Sequence, residues 1–218
     1  MKKTCLAAVL TFSIFFCSAQ VQWGLFGGPQ TTSTKYTIDG KKQPTTPKYG
    51  FQLGASLKAP FENKLYFSPA AFYSLKGYKV NFNQPSYPPD TLAIDNNTTI
   101  HTFELAALLQ YDFNARPNHF FVKFGPSLDF QISGKEKFNR SNRTTVEQAM
   151  VFSFTSYGRY GCNLHMQFGY ETKDGLLLFA QYSHGLWNMD NVDNGPGIWH
   201  RVVGISIGKN LNKKSRDK

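Results

Sequence analysis

The chain has 218 residues, of which 16% are aromatic, and a formal net charge of +10 at pH 7. This length suits a single domain, and the 20 Phe, 11 Tyr and 18 Gly favour β-structure. No apolar run beyond residue 19 approaches the roughly 18 residues that a membrane-spanning helix needs, which excludes helical spans but not spanning strands. The basic residues are scattered without an aromatic platform between them, so we expect no nucleic-acid partner.

The N-terminus has the order of a secretory signal. Lys2 and Lys3 precede an apolar run over residues 5–16, and the small residues of Cys17-Ser18-Ala19 follow. We therefore predict a signal peptide over residues 1–19, cleaved after Ala19. Phe16 stands where a lipoprotein signal needs a small residue, which disfavours lipidation. Without residues 1–19 the chain has 22 basic and 14 acidic residues, a charge of +8, and Cys162 as its last cysteine, so the fold must stand without an intramolecular disulfide.

The mature chain alternates between apolar and polar residues in eight segments. In residues 120–132 the apolar set includes Phe120, Phe124 and Leu128, whereas Lys123 and Asp129 lie on the opposite parity. Such period-two segments are typical of β-strands with one apolar face. The predicted strands are 21–28, 49–58, 65–78, 102–113, 120–132, 159–171, 176–186 and 200–211.

The connections between these strands alternate between two lengths. Residues 59–63, 114–119 and 172–175 are short turns, whereas 29–48, 79–98, 133–156 and 187–198 are long polar loops. An even number of strands with short turns at one rim and long loops at the other is typical of outer-membrane barrels. A spanning sheet must close on itself and face lipid with its apolar side, whereas the alternation would put too many Phe and Tyr inside a soluble eight-stranded barrel.

With these strands and stretches such as "FYSLKGY" (72–78) and "GISIGKNL" (204–211), the chain resembles the small gram-negative outer-membrane proteins of the PorT-like and OmpX-like group. The resemblance implies an all-β fold, an eight-stranded antiparallel up-and-down transmembrane β-barrel over residues 20–211, located in the cell outer membrane. A basic tail follows at residues 212–218, where many barrels end on an aromatic residue. Pro69 and Pro126 fall inside predicted strands, so we expect a bulge or register shift at each.

The sequence predicts no catalytic residue, no cofactor and no metal site. No histidine has a serine two residues later, as a lipid A deacylase would need. Ser183 and His184 are adjacent and point to opposite faces of a strand, so they cannot share a proton. The loop residues 190–195 have Val192 where a calcium loop needs an oxygen ligand, which favours a solvated turn.

Charged residues fall into an inward set and a rim set. Because a lumen of eight strands is nearly filled by side chains, the inward charges are expected to pair with one another rather than line a conduit. The inward set is Lys58, Lys76, Glu104, Asp112, Lys123, Asp129, Arg159, His165 and Glu171. The rim residues either contact lipopolysaccharide phosphates or are solvated loop charge, and they are Lys35, Lys41, Lys42, Lys48, Lys135, Lys137, Arg140 and Arg143.

These observations predict a monomeric, non-enzymatic outer-membrane barrel. It would contact outer-membrane lipid and lipopolysaccharide, and its external loops would serve a structural role or contact a surface protein or ligand. Phe72, Phe121 and Phe179 are predicted to fill the interior, so a conducting pore is not expected. Two alternatives remain at this point: an outer-membrane enzyme that modifies lipid, and a secreted soluble barrel that binds a ligand.

Overall fold

The computed structural model describes residues 21–212. Its strands close into a ring, because the first strand (Gln22–Ile38) pairs both with the next ring strand (Thr45–Glu62) and with the last one (Gly197–Asn210). The predicted signal peptide and residues 213–218 of the predicted tail lie outside the described residues. Within residues 21–212 no helix has the length and apolarity to cross a membrane.

The structure has twelve strand segments, ten of which build a ring of eight antiparallel strands, as predicted. The segments are β1 (Gln22–Ile38), β2 (Lys41–Lys42), β3 (Thr45–Glu62), β4 (Leu65–Phe67), β5 (Ala70–Asn81), β6 (Asp95–Ala106), β7 (Leu109–Asp112), β8 (His119–Asn139), β9 (Thr145–Ala149), β10 (Tyr160–Glu171), β11 (Leu176–Gly185) and β12 (Gly197–Asn210). Segments β4 and β5 form one ring strand, and β6 and β7 form the next. The short β2 and β9 pair with β1 and β8 at the end opposite the short turns.

Side chains alternate across the sheet with the polarity that the sequence predicts for a membrane barrel. On β8, Phe124 and Leu128 are each 51% exposed on the outer face, whereas Lys123 and Asp129 on the inner face are 6% and 3% exposed. At this level apolar residues cover the outside and charged residues face the inside, which is the reverse of a soluble barrel. An apolar outer face and a closed backbone ladder are the two requirements for a spanning sheet.

The predicted first loop, residues 29–48, is wrong, because strand pairing continues through most of it. Strand β1 runs to Ile38, and Asp39 (φ 47°) and Gly40 (φ 74°) make the turn. The chain then returns through β2 and residues 43–44 to β3, which begins at Thr45. The stretch "TTSTKYTI" alternates but carries hydroxyl groups on both faces, so it lacks the apolar contrast that identified the lower strands. The threonines and tyrosine still suit a strand.

The other long connections differ from the prediction to unequal degrees. The second shortens from 79–98 to 82–94, and the fourth stays close to its predicted bounds at 186–196. In place of the third, β8 extends to Asn139 and turns into β9, so that a hairpin rises above the barrel. The external end is therefore built mainly of extended strands rather than of irregular loops.

The bulges predicted at Pro69 and Pro126 are also wrong. Register is the same on both sides of each proline, because Pro69 still accepts a hydrogen bond from Leu57 (2.9 Å) and Pro126 from Ala107 (2.9 Å) through their carbonyl groups. Each proline thus lacks only the hydrogen bond that a backbone amide would donate to the neighbouring strand. The register shifts lie elsewhere, between Pro47 and Gln52, between Pro60 and Glu62, and between His101 and Thr102.

Candidate functional site

The interior of the barrel carries an ion cluster at the end with the short turns. The Nζ atom of Lys58 lies 2.7 Å from Oδ2 of Asp112 and 2.9 Å from Oε2 of Glu171. The Nε2 atom of His119 lies 3.1 Å from the same Asp112 oxygen. Asn210 donates a further hydrogen bond of 3.0 Å to Glu171. Five ring strands thereby meet at one buried cluster, in which opposite charges lie in contact.

A second ion cluster occupies the middle of the barrel. The Lys76 ammonium group lies 2.8 Å from Oε1 of Glu104 and 2.7 Å from Oδ2 of Asp129, and the three side chains are 1%, 2% and 4% exposed. Asn163 donates to the other oxygen of Asp129 at 2.7 Å. These three residues pair as their inward parity predicts, because an unpaired charge in this position is very costly.

Neutral polar side chains complete the middle layer. Gln52 and Gln181 hydrogen-bond to each other across the interior, and Gln52 also donates to Ser206 at 2.8 Å. Gln30 donates to Ser74 at 2.7 Å. Amide and hydroxyl groups from strands on opposite sides of the ring therefore bond directly, which fills the lumen at this level.

Two hydrophobic layers lie below and above the middle layer. The inward side chains of β5 show the order, with Phe72 in the lower layer, Ser74 and Lys76 in the middle, and Tyr78 and Val80 in the upper layer. The lower layer is Phe26, Ala70, Phe72, Ala106, Leu108, Phe121, Leu177 and Phe179. The upper layer is Tyr36, Ile38, Tyr78, Val80, Ile100, Met150, Tyr157, Met189 and Ile198. Met150, Tyr157 and Met189 come from the external connections, which therefore fold inward and cap the barrel.

Three residues of the predicted inward set do not join an ion cluster, so the predicted pairing does not hold for them. Arg159 is exposed at the external end, so its predicted inward orientation is wrong. It precedes β10, and the strand parity that the sequence extended to it does not apply there. Lys123 does face inward, and its ammonium group lies 5.4 Å from the centre of the Phe121 ring. His165 also faces inward and lies 3.1 Å from the amide nitrogen of Gln167.

The basic rim residues differ in their contacts. Lys48 donates to Asn97 (2.7 Å), to the Thr98 carbonyl (2.9 Å) and to Thr99 (2.6 Å), which links β3 to β6 across the intervening β5. Arg140 pairs with Asp90 at 2.6 Å, whereas Lys137 and Glu147 are 3.9 Å apart and more than half exposed. Lys35, Lys41, Lys42, Lys135 and Arg143 are exposed and form no ion pair within residues 21–212.

Asp190, in the connection between β11 and β12, is buried in the external cap. Neither of its carboxylate oxygens accepts a hydrogen bond of normal geometry, although the amides of Asn191 and Val192 face it. Burial raises the pKa of Asp190 to about 7, and these two amides offset part of the effect. Nothing in "DNVDNG" indicates this burial, because the stretch has the composition of a solvated turn.

The residues weighed for catalysis and metal binding are placed as follows. Ser183 is buried on the inner face, whereas His184 points outward and lies 2.9 Å from the Tyr182 hydroxyl. Cys162 is half-buried on the lipid-facing parity. Within residues 21–212 no three His, Cys, Asp or Glu side chains are grouped to hold a metal ion.

Comparisons with known proteins agree with this architecture. No curated protein sequence matches the chain. Among solved structures it is similar to the outer membrane protein OprG from Pseudomonas aeruginosa (15% identity, TM-score 0.44, 88% of this chain and 98% of that one). It is also similar to Ail, the attachment invasion locus protein of Yersinia pestis (11%, 0.41, 86% and 97%), and to Neisserial surface protein A (10%, 0.40, 86% and 97%). The model of the outer membrane protein beta-barrel domain matches residues 16–191. The chain therefore belongs to the outer membrane protein beta-barrel domain family and is located in the cell outer membrane.

Proposed function

We propose that this barrel is a closed, non-enzymatic membrane anchor that works through its external surface and does not conduct solutes. The observation that carries the proposal is the filled interior. From the short turns to the external cap, an ion cluster, a hydrophobic layer, a paired polar layer and a second hydrophobic layer follow one another. Eight strands leave a lumen that side chains only just fill, so no continuous water column remains.

The contacts of the interior polar groups support the proposal that the barrel is not an enzyme. The carboxylates of Glu104 and Asp129 share the Lys76 ammonium, and hydrophobic layers separate them from both rims. A general acid or base must lie within hydrogen-bond reach of a substrate. Ser183 and His184, on opposite faces of β11, do not make a nucleophile and base pair.

The external end supports a role in surface contact. Strands extend beyond the apolar band and carry exposed lysines and arginines on their outer face, at the level of lipid headgroups. Charge-assisted hydrogen bonds from such residues suit the phosphates of lipopolysaccharide. The connections above them are available to a surface protein or ligand, and each strand of the closed ring pairs with a neighbour on both sides, which favours a monomer.

Two measurements test this proposal on the purified, refolded barrel. In planar bilayers at about 1 M salt, where surface charge is screened, we expect no stable open channels. Reproducible channels that persist after the β8–β9 hairpin is shortened would overturn the closed-barrel proposal. Incubation with labelled lipopolysaccharide followed by mass analysis should leave the lipid unchanged, and a new lipid species would favour the enzyme alternative instead.

A further inference from the structure

A cleft opens on the outer face of the barrel at the external rim, where β1, β2, β3 and β12 meet. It has a volume of about 370 Å³ and is lined by Ser33, Thr34, Lys35, Lys42, Thr45 and Arg201. Strand register brings its three cations together, because Ser33 pairs with Arg201 on one side of β1 and Thr37 pairs with Lys42 on the other. The cleft is therefore built by the ring itself rather than by an irregular loop.

The three cations of this cleft are free to bind an anion. Lys35, Lys42 and Arg201 are exposed, and within residues 21–212 none of them forms an ion pair with a carboxylate. In contrast, Arg140 on the same rim is paired with Asp90. The ammonium group of Lys35 lies 4.9 Å from the centre of the Trp199 ring, which fixes its position at little cost in hydration.

The depth of the cleft matches the level of lipid phosphates. Along the outer face of β12, Ile207, Ile205 and Val203 are more than half exposed, and Arg201 is the next outward residue. The cleft thus begins where the apolar band ends. On the neighbouring β3, Tyr49 is 90% exposed and pairs with Thr31, two residues below Ser33. Aromatic residues at this position are typical of the membrane interface.

We propose that this cleft binds a phosphate group carried by a glycolipid of the outer leaflet. Lys35, Lys42 and Arg201 donate charge-assisted hydrogen bonds to the phosphate oxygens, and the Arg201 guanidinium is suited to hold two oxygens at once. The acyl chains of the same lipid lie against the apolar outer face below. This inference rests on the proposed surface role, and it assigns the lipid contact to one site among the basic residues of the rim.

The test compares lipid binding to three forms of the refolded barrel in nanodiscs. The cleft variant carries Lys35→Gln, Lys42→Gln and Arg201→Gln. The control variant carries Lys135→Gln, Lys137→Gln and Arg143→Gln, which removes the same charge from another part of the rim. The probes are bisphosphorylated lipid A, the same lipid without its phosphates, and inorganic phosphate, and native mass spectrometry reads the bound lipid.

We expect the wild-type barrel and the control to retain bisphosphorylated lipid A, and the cleft variant to bind it on the order of tenfold or more weakly, as expected when strong hydrogen bonds are lost. The dephosphorylated lipid should bind all three forms equally weakly. Millimolar inorganic phosphate should not displace the lipid. Displacement would show that the cleft binds free phosphate, and it would overturn the proposal that the phosphate belongs to a lipid. Heat-modifiable gel mobility verifies that each variant is folded.

The outcomes separate this inference from the proposed function. Equal loss in the cleft and control variants would mean that net charge alone binds the lipid, which overturns the cleft assignment and leaves the surface role. If the cleft variant bound bisphosphorylated lipid A as strongly as the wild-type barrel does, the cleft assignment would also be overturned and the surface role would remain. If the wild-type barrel bound phosphorylated and dephosphorylated lipid alike, the proposed lipopolysaccharide contact itself would be wrong.

Discussion

Replacing Lys76 with methionine removes the cation that two buried carboxylates share. Lys76 lies 2.8 Å from Glu104 and 2.7 Å from Asp129, and all three side chains are nearly inaccessible to water. Methionine has a similar length and no charge, so the substitution leaves two carboxylates side by side on paired residues of β6 and β8. After the change Asp129 still accepts a hydrogen bond from Asn163, which compensates only one of its oxygens.

We expect Lys76→Met to lower the free energy of unfolding by about 3 to 5 kcal/mol, the range for removing one partner of a buried ion pair. The matched control is Lys79→Met, three residues further along β5, where the side chain is exposed. Surface changes of this kind stay within about 0.5 kcal/mol. Urea titration in lipid vesicles, read by heat-modifiable gel mobility, measures both values.

A compensating variant sharpens the same experiment. Adding Glu104→Gln and Asp129→Asn to Lys76→Met removes the uncompensated charges and should restore most of the lost stability, since neutral replacements of buried ion networks are often tolerated. A cost for Lys76→Met no larger than that of Lys79→Met would refute the argument that the interior charges are dry and mutually paired.

Three further predictions concern other parts of the chain. Leu105→Arg on the lipid-facing side should cost roughly 2 to 4 kcal/mol in the same titration, whereas Gln110→Ser on the inner face should cost far less; equal costs would refute the assigned parity. Because the pKa of Asp190 is raised to about 7 from 3.8, the folded state retains a proton that the unfolded state releases, so its contribution to stability should decline as pH rises through this range. Asp190→Asn should flatten that decline, and an unchanged pH profile would contradict it. The mature protein should begin at Gln20, and an intact mass that includes residues 1–19 would rule this out.

The ring could be predicted from sequence because a spanning barrel needs contrast between its two faces. In β8 and β10 the apolar and polar residues separate largely by parity; β10 lies where it was predicted, whereas β8 contains the predicted strand 120–132 and continues to Asn139. The same parity placed Phe72, Phe121 and Phe179 inside, as they are. Most of the inward charges pair as predicted, because a filled lumen makes lone charges costly, but Lys123 is buried and forms no ion pair within residues 21–212, which departs from that prediction.

The external end could not be predicted in the same way, because its strands leave the membrane and lose that contrast. Residues 29–38 carry hydroxyl groups on both faces and a single charged residue, Lys35, so they lack the apolar contrast of the lower strands and were predicted to be a loop. Arg159 was assigned by extending a parity beyond the end of β10. The cleft lined by Lys35, Lys42 and Arg201 depends on register between β1 and β12, whose residues are far apart in sequence.

The central claim, an inside-out barrel with β8 in its wall, is tested most directly by measuring lipid contact along that strand. In a Cys162→Ser background, single cysteines at positions 120 to 136 are labelled with a polarity-sensitive fluorophore in vesicles that contain a lipid-borne quencher. We predict strong quenching at even positions from 120 to 132. Ile132 is the extra residue of β8 opposite the register shift between His101 and Thr102, and both Ile132 and Ser133 face outward. The outward-facing positions should therefore be the odd ones from 133 onward. Quenching at odd positions below 132, or no alternation at all, would contradict the account.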